Sequence, residues 1–306
     1  MSEQGHESRL VLSIMGTTIH NGPGIRTLVL LKGCPLRCAW CSTPESQSPT
    51  PEIGIFPDKC TRCGKCVEIC PNGAMKINKE KIQIDRLKCN NCGECTKICY
   101  SEALRLYGRK MTVEELINEV KKDIIFYKHS GGGVVISGGE PLSEIQFIKE
   151  FAKACRAEGI SLGVDTCGYV PRTNIEQMLE YIDYVLLDIK HMDSRRHKEI
   201  TGVPNELIIS NAQFISKMNV PIYIRVPVIP GYTDSEENIR AISNFAGSLH
   251  SLKEVHLMPI HHLGAKRYES LNRPYLIADI ELIPQNTMES MKRLLESYGA
   301  ICKIVG

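Results

Sequence analysis

The chain reads as an α/β protein whose parallel sheet curls into a full or partial (β/α) barrel, with a small unit of another kind inserted near its start. Three observations predict this. From Gly108 onward, short apolar runs alternate with helix-like segments, the pattern of right-handed βαβ units. The chemically distinctive residues fall at the C-terminal ends of those runs, where parallel barrels build their sites. Between Pro49 and Leu106 the pattern gives way to cysteine, glycine, proline and lysine. The boundaries are residues 1–48 for the start of the barrel, 49–107 for the insert and 108–306 for the remainder. A doubly wound sheet is the alternative topology.

The first strand is the apolar run 27–31, followed at once by Gly33-Cys34. After the insert, Thr112 with Glu115 forms a capping box that opens a helix to about residue 128. Residues 134–137 are a strand ending in Gly138-Gly139-Glu140-Pro141. Ser143 with Gln146 caps the next helix, which Gly159 ends. Strand 160–164 leads to Asp165-Thr166, and Thr173 with Glu176 opens a further helix. Strand 184–189 carries Asp188-Ile189 and is followed by Lys190. A helix over about 205–218 precedes strand 222–226, which contains Arg225. Asp234 with Glu237 opens a helix before strand 254–258, which leads to His261-His262. A last helix, 288–298, precedes an apolar end, 301–305.

Composition narrows the class. Of 306 residues 42% are hydrophobic and 24% charged, and the net charge is +2. No basic excess marks a nucleic-acid or membrane-surface protein. No apolar run approaches the roughly 18 residues that span a bilayer, and residues 1–20 lack the pattern of a secretory signal. The expectation is a cytoplasmic enzyme that binds neither nucleic acid nor membrane. Cysteine is the anomaly: of 14, eleven lie between Cys34 and Cys99. In a cytoplasmic chain such clustering points to soft metals rather than disulfides.

Two cysteine patterns occur. Cys34, Cys38 and Cys41 form a Cys-x3-Cys-x2-Cys run. Three thiolates on one loop can hold three irons of a four-iron cubane and leave the fourth open, as a catalytic metal requires. A zinc site completed by a distant ligand is the alternative. The second pattern is an internal repeat: Cys60, Cys63, Cys66 and Cys70 recur 29 positions later as Cys89, Cys92, Cys95 and Cys99, with Gly64 matching Gly93. Paired zinc sites are again the alternative. Cys155, Cys167 and Cys302 are read as buried small hydrophobes.

The first run is similar to the signature of the radical S-adenosylmethionine (SAM) superfamily. Its flanks, His20-Asn21-Gly22-Pro23-Gly24-Ile25-Arg26-Thr27 and Trp40-Cys41-Ser42-Thr43-Pro44-Glu45, resemble those of the glycyl-radical-enzyme activating enzymes. Asn21 and Thr43 depart from that pattern, where Asp and Asn are usual, and neither is a cluster ligand. The repeat resembles the bacterial ferredoxin run, in which the fourth cysteine serves the other cluster. Cys60, Cys63 and Cys66 would thus join Cys99, and Cys89, Cys92 and Cys95 would join Cys70. Pro71 fits, while Tyr100 replaces the second proline.

The resemblance implies a radical SAM barrel with a ferredoxin-like insert and three [4Fe-4S] clusters. It implies that SAM chelates the open iron at Cys34, Cys38 and Cys41 and is cleaved reductively. The resulting 5′-deoxyadenosyl radical would take a hydrogen atom from a glycine of a partner glycyl-radical enzyme of dehydratase, lyase or decarboxylase type. Flavodoxin or ferredoxin would donate the electron. Gly138, Gly139 and Glu140 match the segment that binds the methionyl amino group. Asp188, Ile189 and Lys190 match a SAM-contacting segment, with Lys190 placed to meet the carboxylate. Asp165 and Thr166 match a cation and SAM contact, and His261 the histidine near the adenosyl group. Trp40, Ser42 and Arg225 complete the expected contacts. The insert clusters would relay electrons or hold the insert in shape for a partner. The rival readings are a radical SAM enzyme acting on a small molecule or an anaerobic ribonucleotide reductase, and a non-catalytic electron carrier.

Overall fold

The structure is a computed structural model and describes residues 8–78 and 81–305. The first seven of the residues 1–20 read above lie outside the described residues. In chain order the strands are β1 (Ser8–Thr18), β2 (Arg26–Leu31), β3 (Glu52–Ile55), β4 (Met75–Ile77), β5 (Ile82–Ile84), β6 (Leu104–Tyr107) and β7 (Arg109–Thr112). They continue with β8 (Gly133–Gly138), β9 (Ser161–Thr166), β10 (Tyr184–Asp188), β11 (Ile222–Val228), β12 (Leu252–Pro259) and β13 (Cys302–Ile304).

Nine of these strands make one sheet in the order β13-β12-β11-β10-β9-β8-β2-β1-β7. From β2 through β13 neighbours are parallel, and β1 is antiparallel to both β2 and β7. The order advances steadily from β8 to β13 without the reversal that defines a doubly wound sheet. The two edges, β7 and β13, do not pair, so the barrel is partial. Met15 of β1, Leu28 and Leu30 of β2, and Val305 beyond β13 line one cavity, so the sheet curls round on itself.

Strand periodicity sorts the side chains. Val134, Ile136, Leu162, Val164, Val185, Leu187, Ile222 and Ile224 join the large core under the helices, together with Phe147, Ile148 and Phe151 of helix Ile145–Ala157. The alternate residues Val135, Tyr184 and Leu186 pack with Leu28 and Tyr223 as a separate plug inside the sheet. Gly163 makes room for this plug: a Cβ there would lie 2.3 Å from the Tyr184 ring. Above the plug the same inward parity presents Ser137, Asp165, Asp188 and Arg225 to the cavity.

The capping box at Thr112 forms, with Thr112 and Glu115 exchanging both bonds. Three helix starts differ from expectation. Pro141–Ser143 is a 3-10 turn, so the next helix begins at Ile145 and Ser143 does not cap it. The helix expected from Thr173 is only Arg172–Glu176, entered from Pro171. The cap at the following site is Ser235, which accepts from Asn238 N, rather than Asp234. Serine one residue on offers the backbone the same acceptor, so local spacing alone could not choose.

The insert is two small sheets, β3-β6 and β4-β5, and two one-turn helices, Lys65–Glu68 and Glu94–Lys97. Its duplication is visible in the backbone. Left-handed residues recur at the 29-residue interval: Arg62 and Asn91, Gly64 and Gly93, Gly73 and Glu102.

Candidate functional site

A cavity of about 470 Å³ opens at the C-terminal ends of the parallel strands. Cys34, Cys38 and Cys41 line it, with Trp40 and Ser42 beside them. The loop that carries them is sewn to the next one: Gly33 N donates to Ser46 O (2.7 Å), Glu140 N to Gly33 O (2.7 Å) and Gly139 N to Leu31 O (2.9 Å). This close approach explains the paired glycines. Gly138 has φ +104°, and a Cβ on Gly139 would lie 2.1 Å from Gly33 O.

Gly138, Gly139, Asp165, Thr166, Asp188, Lys190, Arg225 and His261 also line the cavity. Lys190 donates to Asp188 Oδ2 at 2.8 Å. Burial opposes the charge on Lys190, but Asp188, Cys38 and Cys167 more than offset it and raise its pKa. Arg225 donates to Asp165 Oδ2 (2.9 Å) and to Asn21 Oδ1 (3.2 Å). Ser137 donates to the same Asp165 oxygen at 2.7 Å. Burial pushes the Asp165 carboxyl up, while Arg225 holds it down. His261 is exposed at the rim, and His262 is tied to Tyr275 Oη and Ile280 O.

Two expected contacts fall elsewhere. Glu140 is 1% exposed and does not line the cavity. Its carboxylate accepts from the Thr166 hydroxyl (2.7 Å), Cys167 N (2.8 Å) and Leu142 N (3.0 Å). It therefore fixes the loop after β9 against the glycine loop, and the groups of this segment that line the cavity are Gly138 and Gly139. Ile189 has outward parity and is buried in the core under the helices. Its N–H donates to Arg225 O at 2.9 Å, which fixes the strand end that carries Asp188.

Sequence reasoning passed over Asn21, Ser137 and Cys167 as cavity residues. Strand parity with Asp165 and Asp188 was the signal for Ser137. Cys167 follows Asp165-Thr166 and so sits near the site in sequence, but it reads there as a buried small hydrophobe; its thiol interacts with that of Cys34, which lowers the Cys34 pKa and raises that of Cys167.

The donor set fits an iron–sulfur cluster. Three cysteines face one cavity, and burial pushes the Cys38 thiol up to about 12 and Cys41 upward as well. A bound cationic metal is what would favour thiolate there. In the insert, the thiols of Cys60, Cys63 and Cys99 act electrostatically on Cys66 and disfavour its thiolate. Those four line a second cavity. Around Cys95 the thiols are Cys89, Cys66, Cys92 and Cys70. Among the described residues, no three Cys, His, Asp or Glu side chains converge on a site for a single metal ion.

The insert is clamped to the barrel beside the Cys34–Cys41 loop. Arg273 donates to Pro44 O (2.7 Å) and to Glu52 of β3 (2.5 Å). Buried Lys32 reaches Glu45 O and Glu52, and Arg267 pairs with the buried Glu45. Tyr107 of β6 shares a hydrogen bond with Ser270 at 3.1 Å.

A partial barrel of parallel strands with three cysteines at its mouth defines a class, and the chain matches the radical SAM superfamily over residues 28–241. It belongs to that superfamily and, within it, to the activating enzymes of glycyl-radical enzymes. It is 38% identical to the trans-4-hydroxy-L-proline dehydratase activating enzyme of Clostridioides difficile, over 97% of this chain and 99% of that one. It is 41% identical to the isethionate sulfite-lyase activating enzyme of Oleidesulfovibrio alaskensis, over 90% and 91%. A domain of pyruvate-formate lyase-activating enzyme from Bacteroides vulgatus superposes with a TM-score of 0.50 at 29% identity, covering 57% of this chain and 99% of that chain. A radical SAM methyltransferase from Sphaerobacter thermophilus shares the fold, with a TM-score of 0.55 at 12% identity over 97% and 77%. No helix among the described residues is long and apolar enough to cross a membrane.

Proposed function

We propose that this chain is a cytoplasmic activating enzyme that cleaves SAM reductively and removes a hydrogen atom from a glycine of a partner glycyl-radical enzyme of dehydratase, lyase or decarboxylase type. One observation carries the reading: Cys34, Cys38 and Cys41 share a single strand-end cavity with Gly138-Gly139, the Asp188–Lys190 pair and the Asp165–Arg225 pair. When bound, a [4Fe-4S] cluster on the three cysteines supplies the electron for SAM cleavage.

The protein's own groups bind and orient. The carbonyls of Gly138 and Gly139 offer acceptors for the ammonium of SAM. Lys190, kept charged by Asp188, meets its carboxylate. Arg225 holds Asp165 in place, and Asp165 presents its carboxylate to a cation or to SAM, with Thr166 beside it on the cavity wall. Trp40, braced edge-on against Tyr232 at 5.7 Å, closes the apolar side of the cavity, and His261 stands at the adenosyl end. The apolar walls Ile229, Ile260 and Met258 exclude water from a reactive intermediate. Residues 49–107 are a ferredoxin-like insert with two further [4Fe-4S] clusters, one on Cys60, Cys63, Cys66 and Cys99, the other on Cys89, Cys92, Cys95 and Cys70. Flavodoxin or ferredoxin is the electron donor.

The test is anaerobic reconstitution, reduction and addition of SAM, with 5′-deoxyadenosine and the glycyl signal followed against candidate partners. Nucleoside with a partner-dependent glycyl radical supports activation. Nucleoside with no radical from any partner shifts the substrate to another molecule.

A further inference from the structure

The two copies in the insert share a backbone but differ at their tips. Before Cys60 the first copy reads Pro57-Asp58-Lys59; at the matching positions before Cys89 the second reads Arg86-Leu87-Lys88. An acidic position has become leucine and a proline has become arginine. Leu87 is 100% exposed, the most exposed large apolar side chain among the described residues. Its neighbours Arg86 and Lys88 are exposed too, as is Cys92. The only nearby acid on this turn, Asp85, is used internally, accepting from Leu87 N at 3.1 Å. A fully exposed leucine held between two cations has no role in the fold and is the anatomy of a small docking site.

Its position gives it a use. The charge of Arg86 lies within reach of Cys89, of Glu52 and of Arg273. Glu52 and Arg273 belong to the clamp that holds the insert against Pro44 and Glu45, next to the Cys34–Cys41 loop. Helix Glu94–Lys97 also packs on β6, the strand that meets Ser270 of the barrel. The second copy therefore packs beside the β3-β6 sheet, through which the insert joins the barrel.

Resting on the reading that the insert cysteines hold clusters, we propose that Arg86-Leu87-Lys88 is the docking site of an acidic one-electron carrier protein, whose electron is taken up at the centre held by Cys89, Cys92, Cys95 and Cys70. One electron leaves the carrier, which is oxidised, and reduces that centre; no bond forms and no proton moves. Small, salt-sensitive contacts of this kind are usual for redox partners.

The experiment uses reconstituted holoenzyme and an acidic flavodoxin as the probe. Binding of oxidised flavodoxin is measured by calorimetry at low and physiological salt for the L87D/K88E variant and for Lys59→Glu, its counterpart in the first copy. The expected result is about tenfold weaker binding and a flattened salt dependence for L87D/K88E, with Lys59→Glu within about twofold of the parent. SAM cleavage driven by dithionite stays unchanged in both. Unchanged flavodoxin binding by L87D/K88E, or an equal loss in Lys59→Glu, overturns the proposal. So does a variant that keeps flavodoxin binding but loses the dithionite-driven glycyl signal, since the tip would then serve the glycyl-radical partner. Iron content separates the two levels: about twelve irons per chain with unaltered binding sinks the docking site alone, whereas about four sinks the cluster reading beneath it.

Discussion

The barrel and the insert are held together by different physics. The barrel buries an extensive apolar cluster that runs from Val11 to Cys302 under its helices. Among the described residues, the core cluster of the insert has six buried members, and two of them are Cys66 and Cys95; Cys60, Cys70, Cys89 and Cys99 pack against the same cluster. In the barrel, hydrophobic burial builds the scaffold and the cysteine loop is added at its mouth. In the insert, the cysteines are the scaffold, as in small domains that depend on metal for stability. On the proposed reading, metal binding is separable from folding in the barrel and coupled to it in the insert.

The largest effect should come from Cys38→Ala, which abolishes 5′-deoxyadenosine formation while leaving the insert's share of the iron, about two thirds, in place. A variant that cleaves SAM at the parent rate would break the assignment of chemistry to the barrel mouth. Iron removal by a chelator comes next. Amide exchange in β3 to β6 should accelerate strongly, while β8 to β11 keep their protection. Equal loss in both regions would erase the contrast.

Within the barrel, Lys190→Met should raise the KM for SAM at least about tenfold, from the loss of a charge-assisted hydrogen bond. Cluster content, read from the iron absorption bands, stays as in the parent. Glu140→Ala sharpens the separation of roles. It strands the Thr166 hydroxyl and two backbone N–H groups, costing about 3 kcal/mol in thermal or denaturant unfolding. Destabilisation with little change in SAM affinity distinguishes this positioning residue from Lys190. The smallest effect is Thr112→Ala, which removes one side of the capping box after β7 and costs about 1 kcal/mol in the barrel's unfolding.

The sequence by itself determined the α/β class, the duplicated cysteine segment, and a set of candidate residues at the strand ends, most of which share one cavity. These are properties of local pattern: apolar runs at strand length, cysteine spacing, and glycines where a backbone must turn. It could not decide between a barrel and a doubly wound sheet, because both are strings of βαβ units and differ only in the order in which strands pair. The steady order from β8 to β13 is a long-range fact. Nor could it tell Glu140 from Lys190 as a ligand-facing group. Both stand at strand ends in polar motifs, but the Thr166 hydroxyl and the N–H of Cys167, 26 and 27 residues away in sequence, turn the Glu140 carboxylate inward. Ile189 was misread for a simpler reason. It neighbours two cavity residues in sequence, and on a strand each neighbour faces the other side. Cys167 follows the Asp165-Thr166 pair in sequence, but only the curl of the sheet brings its thiol to Cys34.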